Sequence, residues 1–141
     1  MRSRPGGRRK RRRDGVLLIS LMLAACSGQD GELPPAYRRV TVPEARLLSA
    51  EARARGRALY LKNCALCHGE KADGRGQRRE GFARPPADFT DRAWRARTSA
   101  RRAFFVVREG VHGTPMPSWK AFDEGQSWDL VAYVLSVAEA R

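Results

Sequence analysis

Cys64, Cys67 and His68 stand together in the stretch NCALCHGE, residues 63–70. Two thiols three positions apart with an imidazole beside them can bind a metal, exchange a disulfide or hold a larger group. A structural zinc site takes four ligands, commonly as two pairs. The chain has three cysteines and two histidines, and the second histidine, His112, is distant and alone, so a second ligand pair is missing. A redox-active C-x-x-C normally sits beside a βαβ pattern, and no strand alternation stands out anywhere in the chain. C-x-x-C-H is also the attachment signature of c-type haem. Residues i and i+3 of a helix put both sulfurs on one face, where two thiols can add to the two vinyl groups on one edge of a porphyrin. His68 then follows as a proximal iron ligand.

A second axial ligand has few candidates. Methionine occurs at positions 1, 22 and 116, and the first two fall in an N-terminal leader described below. Met116 lies between Pro115 and Pro117, which restrict the backbone on both sides. Its thioether is a soft donor that raises the potential of haem iron. His112 is the competitor for this sixth position.

The elements that must position these groups are helices and long loops. Ser49 is a suitable N-cap and Glu51 suits the helix dipole, so a helix is expected from Ser49 onward. Gly56, Tyr60 and Cys64 recur at steps of four, with Leu59 beside them, and share a face. A glycine inside a helix costs about 1 kcal/mol against alanine; close approach of a second helix is one reason for it, simple tolerance the other. Residues 69–97 read as loop, interrupted by Gly69, Gly74, Gly76, Gly81, Pro85 and Pro86, with Phe82, Phe89 and Trp94 as apolar points that could fold over something. A second helix is expected over 99–109, capped by Thr98 or Ser99 and ended by Gly110. The last begins near Ser127, with Trp128, Val131, Ala132, Leu135 and Ala138 as its buried stripe. Loops of this length exceed the usual range, and a small domain of this kind needs a staple or a large ligand to pack on.

Charge and hydropathy divide the chain of 141 residues. Its formal charge is +13, but eight of its 28 basic residues lie in MRSRPGGRRKRRR, ahead of the apolar run Val16 to Ala25. A basic n-region, a short apolar h-region and a small-residue exit make a signal peptide, 1–25, too short to span a bilayer. Removing eight bases and Asp14 leaves 20 basic and 14 acidic residues, a charge near +6. These are scattered Arg among Asp and Glu, so no nucleic-acid partner is expected. Arg95, Arg97, Arg101 and Arg102 form either a docking surface for an acidic partner or a solvated face. At the exit, Leu23-Ala24-Ala25-Cys26-Ser27 resembles the lipobox of bacterial lipoproteins. The resemblance implies lipidation of Cys26, a membrane anchor through the acyl chains, and a periplasmic position. Ser27 at the following place favours the outer membrane. Residues 26–48, rich in Gly and Pro, read as a tether from the anchor, and 49–141 as the folded domain.

From about Glu51 to Val137 the chain resembles the class I mono-haem cytochromes c, and among them the small domains attached to respiratory oxidases and related membrane complexes. The pieces that carry this are GRALYLKNCALCHG, PPADFTD, GTPMPSW and WDLVAYV, in the family's order. The resemblance implies an all-α fold of three to four helices with long loops wrapped around one covalent haem c, with its first and last helices crossing at Gly56, Tyr60 and Tyr133. It also implies thioethers at Cys64 and Cys67, and His68 and Met116 as iron ligands. Members often have glycine where Ala72 stands and proline where Gln77 stands. The carbonyl that orients the proximal histidine is accordingly expected near Gln77 or Pro85. The implied function is one-electron transfer without a catalytic site, with a membrane oxidase or dehydrogenase complex as redox partner. The alternatives are a haem-based redox or gas sensor in which Met116 leaves the iron, and a fixed cytochrome subunit of a respiratory complex.

Overall fold

The computed structural model describes Asp30 and residues 32–140; the leader and Cys26 lie outside the described residues. Among these the regular structure is entirely helical. The longest helices are α3 (Ala50–Asn63) and α7 (Glu124–Val137), followed by α6 (Ala100–Glu109). Four short helices accompany them: α1 (Pro35–Arg38), α2 (Glu44–Leu48), α4 (Ala65–His68) and α5 (Arg92–Ala96), and a 3-10 turn, Ala138–Ala140, continues α7. The all-α expectation holds, and its three helices are α3, α6 and α7.

The helix ends follow local chemistry. The Ser49 hydroxyl accepts from the amide of Ala52 at 3.2 Å, and Ser99 accepts from Arg102 at 3.0 Å, each satisfying one of the amides a helix start leaves unpaired. The final helix begins at Glu124 rather than near Ser127. Asp123 and Gln126 form a reciprocal capping box, which starts the helix a turn ahead of its apolar stripe. Helix α5 also falls inside what reads as loop; Asp91 caps it by accepting from the Ala93 amide at 2.8 Å.

The core lies where α3 and α7 cross. A Cβ on Gly56 would sit 1.9 Å from the carbonyl oxygen of Asp129 and 3.0 Å from Cβ of Tyr133. The glycine is therefore there for close approach of the second helix, not by tolerance. Next to the crossing, Tyr60 is fully buried and packs on Tyr133, with ring centroids 5.1 Å apart. Asp129, only 3% exposed, is held on the same crossing by Arg46 at 2.6 Å and Arg55 at 2.7 Å. Burial alone would push its carboxyl up, but the hydrogen bonds from Arg55 and Arg46 outweigh this and hold it below its ordinary range.

The segment expected as a tether, 26–48, differs over its described part. Leu33 and Leu47 are buried, and Val40 and Val42 pack against the core. The Tyr37 ring meets Phe105 edge-on at 4.9 Å. Ion pairs tie Asp30 to Arg101 at 3.2 Å and Glu32 to Arg102 at 3.6 Å. Gly and Pro break regular periodicity, but the apolar residues between them, spaced irregularly, still find a surface, α1 on α6 and α2 on α7 and α3.

Candidate functional site

Cys64 closes α3 and opens α4, so the thiols come from the junction and the short helix after it. Three features fix this limb. The Tyr60 hydroxyl donates to the Gly69 carbonyl at 2.7 Å. The amides of Gly74, Gly76 and Arg78 donate to the carbonyls of His68, Cys67 and Leu66 at 2.8, 3.1 and 2.9 Å, satisfying carbonyls the end of a helix leaves free. Finally, a Cβ on Gly76 would lie 2.4 Å from the Cys67 and Leu66 carbonyl oxygens, so only glycine lets the loop lie directly on α4.

The two thiols are free, not a disulfide. Burial pushes the Cys64 thiol up to about 12, helped by the neighbouring Cys67. A thiol-exchange centre needs a lowered thiol pKa; Cys64 has the opposite. No cluster of three or more His, Cys, Asp or Glu able to hold a metal ion occurs among the described residues.

His68 is oriented by the carbonyl of Ala87, 3.1 Å from Nδ1. The carbonyl is thus neither that of Gln77 nor that of Pro85: residues 74–78 are occupied with the backbone of α4, and the chain returns over the imidazole two residues beyond Pro85. A proton on Nδ1, donated to that carbonyl, leaves the lone pair on Nε2. Burial lowers the His68 pKa, and the Ala87 carbonyl opposes this only in part. The ring is also stacked on Phe89, with centroids 4.8 Å apart and planes 21° apart. Ala72, where the resemblance leads one to expect glycine, is fully buried with φ +60°, the conformation that favours glycine.

Cys64, Cys67, His68 and Met116 all line one cavity of about 340 Å³, inside the range of about 300–1,000 Å³ typical of small-molecule sites. Its walls are mainly apolar. Phe82, Phe89 and Trp94 of the long loop close one side, while Leu130 and Val134 of α7 line it from the core. The apolar points of the loop therefore fold over the cavity. His112 is exposed and is not among the lining residues. Met116 is half-buried, and its loop is closed at the base: the Val111 amide donates to the Met116 carbonyl at 3.1 Å, and Trp119 donates to Val107 at 3.0 Å. Gly110, at φ +72°, makes this possible, since a Cβ there would be 2.6 Å from the Met116 carbonyl oxygen.

Two thiols, an imidazole and a thioether converging on one apolar cavity are the donor set for a covalently attached c-type haem, and the residues fit that group. Of the two readings of Arg95, Arg97, Arg101 and Arg102, the pairing of each, with Glu139, Asp91, Asp30 and Glu32, fits the solvated face. The Asp129–Arg46–Arg55 group was not foreseeable, because its members are scattered in sequence with no fixed spacing.

Residues 51–134 match the family model of cytochrome c oxidase, cbb3-type, subunit III. No curated protein matches. Among solved structures, the chain is similar to the Kuenenia stuttgartiensis reducing HAO-like protein complex Kustc0457/Kustc0458, at 23% identity and a TM-score of 0.54. That alignment covers 72% of this chain and 46% of the other, so the chain spans about half its length, and the likeness concerns the fold. The chain belongs to the family of cbb3-type cytochrome c oxidase subunit III and is a small c-type cytochrome domain.

Proposed function

We propose that the protein is a membrane-anchored periplasmic one-electron carrier with a single haem c. Cys64 and Cys67 hold it, and His68 and Met116 are its axial ligands. The observation that carries the reading is the convergence of those four side chains on one apolar cavity.

Cys64 and Cys67 would hold the haem as thioethers, each S–H adding across a vinyl group with the sulfur on one carbon and the hydrogen on the other. His68 offers a neutral imidazole, oriented by the Ala87 carbonyl, whose Nε2 carries the lone pair. Met116 offers a thioether, a weak donor that favours the reduced iron. When bound, the haem supplies a one-electron couple. The aromatic and aliphatic walls exclude water, which further disfavours the oxidised, more charged form. With His68 and Met116 as its two protein donors, the iron would be suited to electron transfer rather than to substrate turnover.

Location rests on the sequence. Lipidation of Cys26 would anchor the domain on the periplasmic side of a bacterial membrane, the outer membrane being favoured by Ser27. No helix among the described residues is long and apolar enough to cross a membrane. Family membership favours a second reading as well, that of a fixed cytochrome subunit of a respiratory complex, with the redox partner inside the assembly.

Expression with haem-attachment machinery tests the central part. Haem should remain bound after denaturation, and the Cys64→Ala/Cys67→Ala variant should lose it. Haem extracted from the denatured wild type would refute the reading. For the anchor, Cys26→Ala should move the protein from the membrane fraction to the soluble one; retention in membranes would refute lipidation alone.

A further inference from the structure

The N-terminal segment that reads as a tether reaches the end of α6, where the loop that carries Met116 begins. The Tyr37 hydroxyl, on α1, donates to Glu109 at the end of α6. The same carboxylate receives Lys120 Nζ at 2.6 Å. Lys120 follows Met116 on the returning limb of the same loop. One carboxylate thus joins the N-terminal segment, the end of α6 and the loop.

The remaining contacts of this loop cluster at α6. The Ser118 hydroxyl donates to the Arg108 carbonyl at 2.6 Å, and Arg108 Nη1 reaches the Phe122 carbonyl at 2.5 Å. These hold residues 118–122 to the helix. Among the described residues the Tyr37–Glu109–Lys120 chain joins this loop to the N-terminal segment, and Arg108, which also bears on the Tyr37 hydroxyl, stands beside it. The Tyr37 phenol is pushed up to about 12, by burial first and then by its bond to Glu109, so it keeps its proton and can donate across the neutral range. Its ring packs on Phe104 and Phe105, which fixes the hydroxyl independently of Glu109.

We infer that the N-terminal segment is a strap that keeps the Met116 loop closed over the cavity, with Tyr37, Glu109 and Lys120 as positioning residues for the thioether. The inference rests on the reading of Met116 as an axial ligand. Its physical content is an equilibrium: the loop can lift from the cavity, and bonds made only in the closed state favour closure. Removing one bond raises the open population, and a small exogenous ligand then reaches the iron more often. The strap would in this way couple the position of the N-terminal segment to the accessibility of the sixth site.

The test uses the full-length haem-loaded protein. Tyr37→Phe removes only the hydroxyl and keeps the ring packing, while Lys120→Gln removes the cation from an exposed position. Carbon monoxide binding to the reduced protein and the thioether-to-iron charge-transfer band of the oxidised protein report the sixth site. The expectation is several-fold faster carbon monoxide binding in Tyr37→Phe and in Lys120→Gln. Their double variant should be no faster than the product of the two effects, because both act through Glu109. Arg57→Gln, remote from the loop, should leave the rate at the wild-type value. Unchanged carbon monoxide kinetics in both single variants would overturn the strap. A wild type without the thioether band would instead overturn the ligand reading on which the strap rests, and the two failures are distinguishable.

Discussion

The two limbs that face each other across the cavity are built differently. The attachment limb, from Cys64 to Ala87, is pinned along its length: three amides close the carbonyls of α4, Tyr60 holds Gly69, and Ala87 holds His68. The methionine limb, from Gly110 to Phe122, is pinned at its base on α6 and open at its tip. His112 and Gly113 are exposed, and a Cβ on Gly113 would meet nothing within 4 Å. The contrast matches the chemistry expected of each side. A ligand next to two covalent attachments is set once, whereas a thioether held only by its loop depends on how often that loop opens. Local stability of this kind follows the density of buried contacts and closed hydrogen bonds.

The contrast can be broken with matched substitutions. The largest effect is expected from Gly76→Ala. Its Cβ would lie 2.4 Å from backbone carbonyls of α4, so the loop must lift, at about 3 kcal/mol of unfolding free energy. Chemical denaturation of the haem-loaded variant measures it. A loss below about 1 kcal/mol would mean that the attachment limb is not rigid.

Asp129→Asn comes next, at the crossing that supports this limb. The Asp129 carboxyl is held below its ordinary value in the folded state. The stabilisation it brings is therefore fully present above about pH 4 and is lost as pH falls through the depressed folded value. Replacement should cost about 2 kcal/mol at pH 7 and flatten the decline in stability below about pH 4. A variant that keeps the wild-type acid profile would remove Asp129 from the account.

Ala72→Gly sharpens the comparison in the other direction. Ala72 carries φ +60° on the pinned limb, a conformation that costs an alanine about 1 kcal/mol. Glycine should therefore stabilise the domain by part of that amount, the rest being offset by the freer unfolded chain. Thermal unfolding would show a small upward shift, and a downward one would mean that the Ala72 methyl packs more usefully than its backbone is strained.

Gly113→Ala is the smallest loss. The site has space, so only the φ of +73° opposes alanine, and the expected cost is about 1 kcal/mol or less. A cost equal to that of Gly76→Ala would erase the distinction between the limbs.

These positions also show what could be read from sequence. That Cys64, Cys67, His68 and Met116 would come to one place was legible in the C-x-x-C-H spacing and the scarcity of methionine, and the four do line one cavity. Gly56 and Tyr60 were legible through helical period, and Ser49, Ser99 and Gly110 through capping. The Ala87 carbonyl was not, since a backbone acceptor has no residue signature and its place depends on the path of an irregular loop. The docking of residues 32–48 was hidden for a related reason: its apolar residues follow no fixed period, and its prolines resemble those of a linker. The capping box at Asp123 and Gln126 was present in the sequence but was outweighed by the apolar stripe that starts a turn later. The pairing of Arg95, Arg97, Arg101 and Arg102 depends on partners as far away as Asp30 and Glu139, which no local pattern brings together.

The central claim is that a thioether from the open limb faces an imidazole from the pinned limb across one haem. Spectra of Met116→Ala against wild type test it most directly. The account predicts that the variant keeps covalently bound haem, loses the thioether-to-iron band of the oxidised protein, and binds carbon monoxide rapidly once reduced. A Met116→Ala protein with wild-type oxidised and carbon monoxide spectra would contradict it.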